Sequence, residues 1–289
     1  GVNDVIQLEQ GTYSVLDNND DCFYYFSLEP WSLSIQGGYS AGCSARATDP
    51  SLTILEGSPN SNVLYIEDIS EAESSIVNNI ELDGVTIQNG NASSKAGAYV
   101  FSLISPIRIV NNIIRNNTAT SSLGGIFVEG YVGTQTFANN LVLNNTAKSS
   151  AGASVGSKYG KAEVINNTFA GNSANTLEGH TGGLGVSLEL FGSSAEIYNN
   201  IFWNNAASTG ADIYMPNTSG RPAAVFNNDF DPAKVYGVIT AEGDNISVDP
   251  QFAGAGDYHL TVGSPCVDEG LSSPSLPTNP KSSPASAPP

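Results

Sequence analysis

A chain of 289 residues makes one large domain or two ordinary ones. Ten Lys and Arg against 28 Asp and Glu leave a net charge of −18, which excludes the basic footprint that nucleic acid demands. At 40% hydrophobic and 13% charged, with 30 Gly and 30 Asn, the chain is too apolar for disorder and too rich in turn formers for helices; stacked strands joined by tight turns fit.

The first pieces, VIQLEQGTYS, LSIQGGYS, LTILEGS and NVLYIED, read as strands and turns worth roughly three coils of a repeat. Between them the aromatic-rich DDCFYYFSLEPW is expected to form part of an N-terminal cap over an open sheet edge. From Asp83-Gly84 onward the repeat is regular. Asn pairs recur at Asn111-Asn112, Asn139-Asn140, Asn166-Asn167, Asn199-Asn200 and Asn227-Asn228, in steps of 28, 27, 33 and 28 residues. Each unit holds three short β-like runs: one after the Asn pair (Ile113 to Arg115, Leu141 to Leu143), one after a Gly turn (AGAYVFS, GGIFVEG), and one entering the next pair (PIRIVNN, TQTFANN). Three strands per coil with turns between them describe a parallel β-helix.

The Asn pairs have a physical reason to recur. Asn tolerates the left-handed backbone of a sharp corner, and amides stacked about 4.8 Å apart bond one to the next. Asn112, Asn140, Asn167, Asn200 and Asn228 are expected to form one ladder; Asn117, Asn145, Asn172 and Asn205 are expected to form a second. This reading displaces glycan acceptance at Asn116, Asn144 and Asn166, and leaves Asn91, Asn217 and Asn245 as the freer N-x-S/T positions.

Regularity fades after residue 231, and from Leu271 six Pro and six Ser in 19 residues make a polyproline-like linker or tether. No run of 18 apolar residues occurs, so no spanning helix is expected. Cys22 and Cys43, 21 residues apart, are the pair that neighbouring coils can bring into a disulfide, with two buried thiols as the alternative; Cys266 is expected to be a buried small apolar residue.

The segment with Asp249-Pro250-x-Phe252, Asp257-Tyr258-His259-Leu260 and Ser264-Pro265-Cys266-x-Asp268-x-Gly270 resembles the closing coil of bacterial choice-of-anchor Q domain surface proteins. These fall in the pectate-lyase-like group of right-handed parallel β-helices. The coils from 76 to 228, the stretch Gln7 to Tyr13 and the Gly37-Gly38-Tyr39 turn are similar to the same group. The resemblance implies a right-handed β-helix at a cell surface and supplies no catalytic residues.

Uronate lyases need a cation and a basic side chain that removes a proton. Lys158 with Lys161, and Arg108 with Arg115, are the basic pairs, but no Asp cluster accompanies them at coil spacing and −18 repels a polyanion. Glycoside hydrolysis needs two facing carboxylates, and the only Asp-Asp is Asp20-Asp21, near the cap. His259 is expected to pack as a satisfied structural histidine. The acids Asp68, Glu71, Glu73, Asp229, Asp231, Asp244 and Asp249 are scattered singly, so an adventitious Ca²⁺ is the most that they imply. The 33-residue step contains GNSANTLEGHTGG, whose Glu178 and His180 are the candidate acid–base or ligand-binding residues on a projecting loop, flanked by Lys148 and Thr209 from the adjacent coils.

The expectation is an all-β chain: a single right-handed parallel β-helix of roughly eight or nine coils of about 28 residues over 1–270, with an N-terminal cap and a closing coil, then a Ser/Pro tail over 271–289. The favoured function is a non-catalytic, secreted or cell-surface solenoid, adhesin-like or a matrix component, presenting a face to glycans or another surface. A polysaccharide lyase or glycoside hydrolase is the alternative, and a self-assembling extracellular building block the third.

Overall fold

The computed structural model describes residues 3–15, 22–29, 31–70, 79–175, 177–190, 192–216 and 220–271. Asp20-Asp21, Glu71, Glu73, Asn217 and the tail beyond Leu271 lie outside the described residues. The chain winds as a right-handed parallel β-helix, the hand that twisted parallel strands impose on their crossovers.

Three parallel sheets run the length of the coil. Sheet A begins with Asp4–Glu9 and Leu33–Tyr39 and ends with Ala223–Phe226 and Ala241–Gly243. Sheet B runs from Gly11–Ser14 to Ile201–Trp203, and sheet C from Phe23–Ser27 to Val235–Gly237. Alternation within each strand sends one row inward. On sheet C, Ile66, Val100, Val128, Val155 and Val186 stack in register and are buried. On sheet B, the rings of Phe169 and Phe202 lie 4.8 Å apart in the core.

The corner between sheets A and B divides the labour within each Asn pair. The first residue turns the chain in the left-handed region, with φ of 58° at Asn111 and 57° at Asn139, Asn166 and Asn199. The second is buried and joins the ladder. Asn112 Nδ2 donates to Asn140 Oδ1 (3.1 Å), Asn140 to Asn167 (3.1 Å), Asn167 to Asn200 (2.9 Å) and Asn200 to Asn228 (2.9 Å). Asn228 donates in turn to Asn245 Oδ1 (3.1 Å), so Asn245 is a ladder member and not a spare glycan acceptor. A second ladder runs through Asn117, Asn145, Asn172 and Asn205, at 2.9 to 3.1 Å, and its last amide donates to Asp212 Oδ1 at 3.3 Å.

A narrow fourth sheet turns the corner from B to C, so several coils carry four strands where three were expected. It consists of Asn91–Ala92, Thr118–Ala119, Thr146–Ala147 and Ser173–Ala174, whose alanines pack inward as a small core of their own. The Gly37-Gly38 turn is sterically obligatory. A Cβ on Gly37 would lie 2.3 Å from the Gly84 carbonyl oxygen, and one on Gly38 (φ 89°) 2.1 Å from that of Ala47.

The expected cap and closing coil take other forms. Phe23–Ser27 is the first strand of sheet C, and the inward side chains of the first coil face an open cavity of about 220 Å³ lined by Ile6, Leu8, Tyr13, Phe23 and Tyr25. At the far end, Phe252–Gly254 and Asp257–Leu260 pair antiparallel, outside the solenoid sheets. This closing segment doubles back along sheet B, because that sheet turns apolar residues outward: Tyr258 shares a crevice with Ile113, Leu141 and Leu143. It is tied down where Asn227 Nδ2 donates to the Glu269 carbonyl (2.9 Å) and Leu271 N to Asn199 Oδ1 (2.8 Å). His259 does not pack: its side chain is 92% exposed and its Nδ1 meets Asp257 Oδ1 at 2.6 Å.

No disulfide joins Cys22 to Cys43. Cys22 enters the first strand of sheet C, whereas Cys43 follows a strand of sheet A, with its Sγ 3.9 Å from the Gln7 carbonyl. The two sit at different corners, so coil-length spacing does not bring them together. Cys266 is half-buried, and its thiol donates to Asp229 Oδ2 at 3.3 Å.

Candidate functional site

The enlarged coil places Glu178 and His180 on one loop but gives them different partners. Glu178 pairs with Lys148 of the preceding coil at 3.0 Å, both side chains being largely exposed. His180 Nδ1 lies 3.2 Å from Thr209 Oγ1 of the following coil, and its ring stacks on Tyr214 at 5.2 Å and 14°. No hydrogen bond joins the two, so the loop holds no acid–base dyad. Its backbone is stitched to both neighbours, by His180 N to the Ser149 carbonyl (2.9 Å) and Ser208 N to the Gly179 carbonyl (3.0 Å).

The outer face of sheet C carries an aromatic row. Tyr24, Tyr65, Tyr99 and Phe127 occupy matched positions on successive strands, with ring centroids 5.5, 4.7 and 5.3 Å apart. The row resumes at Tyr214 and Tyr236, 5.0 Å apart. The Lys95 ammonium sits 3.4 Å from the Tyr99 centroid, and burial holds its pKa below the usual lysine value. Rings stacked in this way hide their faces against one another and turn edges and hydroxyls to solvent.

Beside this row, Lys158 joins two carboxyls from neighbouring strands: its Nζ lies 3.2 Å from Glu189 Oε2 and 4.0 Å from Glu129 Oε1. Burial raises the Glu129 carboxyl above its ordinary range; Lys158 opposes that, and the nearby Glu189 carboxylate adds to it. The other basic candidates are also engaged. Lys161 binds Glu163 and Glu196, Arg108 binds Glu81 at 3.3 Å, and Arg115 donates to Gln88 Oε1 at 2.7 Å. None of these stands as the free base that lyase chemistry needs.

A third cluster was invisible as scattered acids. Asp212, Asp229, Asp231 and Asp249 meet Trp203 and Lys234 around a cleft of about 360 Å³ near the C-terminal end. The two most buried serve the fold. Asp212 accepts from Asn205 Nδ2 and from Asp231 N (3.1 Å), while Asp229 accepts from Val248 N (2.9 Å) and the Cys266 thiol. Burial raises both carboxyls above their usual range and pushes the Cys266 thiol up to about 12. Asp68, another scattered acid, is buried and accepts the hydroxyls of Ser70, Ser102 and Ser105. Among the described residues, no three His, Cys, Asp or Glu side chains converge in a metal-holding group. No helix among them is long and apolar enough to cross a membrane.

Fold and surface together define a parallel β-solenoid with an aromatic-edged outer face. The chain matches no family model, no curated protein and no solved structure.

Proposed function

We propose that this protein is a non-catalytic β-solenoid of the secreted or cell-surface kind, adhesin-like or part of an extracellular matrix, which holds a linear glycan along sheet C. One observation carries the reading: the aromatic row from Tyr24 to Tyr236, aligned strand by strand along that face. At about 4.8 Å per coil it extends roughly 34 Å, a length suited to a polymer rather than to a small molecule. Tyrosine edges offer hydroxyls to a polar chain, and Glu129 and Glu189 add acceptors for sugar hydroxyls. The net charge of −18 selects neutral or basic glycans over uronates. The resemblance of the closing motifs to bacterial surface proteins agrees with this placement.

A glycan array combined with a product assay tests the proposal. Retention of one or more neutral glycans without a change in their chain-length distribution is the expected result. Shortened products would replace the binder with a carbohydrate-active enzyme, and a blank array would remove the glycan.

A further inference from the structure

The aromatic row is broken at two successive strand positions. Between Phe127 and Tyr214 the strand register places Ser154 and then Gly185. Tyr236 lies against one face of Tyr214, so the His180 ring, stacked at 14°, covers the opposite face, which looks toward Gly185. The enlarged loop thus returns an aromatic ring to the coil whose strand carries glycine. Gly185 suits this arrangement, because a Cβ there would lie 3.0 Å from the Thr181 hydroxyl. Ser154 alone leaves the row without a ring.

The width of the break follows from the coil spacing. Phe127 and Tyr214 are three coils apart, about 14 Å, and His180 takes up one ring separation at the Tyr214 end. About 9 Å remain between the Phe127 and His180 rings, twice the spacing of a stacked pair. One ring fits. Phe127 is already stacked on Tyr99, at 3°, so its other face is the one turned to the gap. Glu129 stands two residues along the same strand and, with Glu189 across the shared Lys158 ammonium, supplies a rim of acceptors.

We infer that the gap over Ser154 is a binding slot for a single pyranose ring of a neutral or amino sugar, held between Phe127 and His180 with its hydroxyls bonded to the Glu129–Glu189 rim. This rests on the glycan reading above and gives it a location. The C–H faces of a pyranose stack on aromatic rings, while its equatorial hydroxyls project sideways toward the carboxyls. Uronic and sulfated sugars are excluded by the same acidic rim.

The experiment uses the full chain and its Ser154→Tyr variant, which supplies the missing ring, with Ser51→Tyr, on the exposed turn Pro50–Leu52 away from sheet C, as the control. Calorimetric titration with cellohexaose, chitohexaose and fully deacetylated chitosan hexamer reads binding; thermal unfolding reads the fit of the new ring. The expected result is an unfolding midpoint at or above that of the parent for Ser154→Tyr, at least tenfold weaker binding of whichever hexamer the parent binds, and near-parental binding by Ser51→Tyr. A lowered midpoint for Ser154→Tyr overturns the gap itself. Equal binding by parent and Ser154→Tyr overturns the slot while leaving the glycan-binding face in place. If none of the three hexamers binds the parent, the pyranose slot falls; the wider array then decides separately whether the glycan reading falls with it.

Discussion

The two ends of the solenoid handle their open sheet edges in opposite ways. At the N-terminal end the edge strands are six, four and five residues long, and the inward row is apolar yet reaches solvent: Ile6, aligned with buried Ile35, is 40% exposed. At the C-terminal end the edge strands of sheets A and C shrink to three residues, and the position aligned with buried Val225 is Glu242. A charge in the inward row and a short edge are two of the devices that stop a sheet from recruiting another strand. The interior is alike throughout; the ends are not. Among the described residues, one end carries a charge in its inward row, while the first coil at the other leaves an apolar inward row partly in solvent.

The largest expected effect lies in the shared interior, against which both ends are measured. Asn167→Ala should cost about 1–3 kcal/mol in denaturant unfolding, because it strands buried partners on both neighbouring coils. Asn245→Ala, at the half-exposed end of the ladder, should cost less, and exposed Asn60→Ala within about 0.5 kcal/mol of nothing. Equal losses at all three would end the case for the ladder.

The next effect separates the ends directly. Ile6→Lys should reduce binding of a hydrophobic dye and any concentration-dependent association seen in sedimentation. It should change stability by less than about 1 kcal/mol, since the side chain is already partly in water. Glu242→Leu should do the reverse and promote association through the C-terminal end. If both variants behave like the parent, neither end governs association.

A pH titration sharpens the contrast from the C-terminal side, where Asp212 and Asp229 sit, and adds Glu129 from mid-solenoid. Burial raises all three carboxyls, so the folded chain holds their protons more tightly than the unfolded chain does. Their contribution to stability is therefore fully present below the unfolded carboxyl range, about pH 4, and is lost as pH rises through the folded values. Melting curves from pH 7 down to about 4.5 should show a rising midpoint, and Asp229→Asn should flatten that rise. An unchanged slope in that variant would free Asp229 from the account.

The smallest effect is expected on the enlarged loop. Glu178→Ala removes an exposed ion pair and should move stability by no more than about 0.5 kcal/mol. A larger loss would mean that the loop braces its neighbours rather than merely projecting from them.

Much of the fold could be read from the Asn pairs, because each pair does two jobs that no other residue type does together: a left-handed first residue and a buried amide second. What escaped the sequence has physical causes. Two-residue strands such as Thr118–Ala119 are too short to show alternation, so the fourth sheet was hidden. The closing motifs look like strand and turn whether they add a coil or fold back as a hairpin; the outward Ile113 and Leu141 on sheet B decide for the hairpin. Of the site, Glu178 and His180 were visible as a long turn with Lys148 and Thr209 beside it. Their separate pairings were not visible, nor was the meeting of Glu129, Lys158 and Glu189, whose separations of 29 and 31 residues straddle coils of unequal length. The aromatic row was obscured for the same reason.

The Asn ladders have a direction. In the main ladder each Nδ2 sends one proton back to a carbonyl of the preceding coil (Asn140 to Ile109, Asn167 to Phe137), while its other proton and the backbone N–H point to an oxygen delivered by the following coil: Asn140 N and Nδ2 both meet Asn167 Oδ1, and Asn167 N and Nδ2 both meet Asn200 Oδ1. A coil that has just been laid down therefore leaves two donors waiting for an acceptor that lies further along the chain. Growth from first residue to last satisfies them one coil at a time, in the order in which a ribosome releases the polypeptide. The fold is in this sense vectorial, with each finished turn a template for the next.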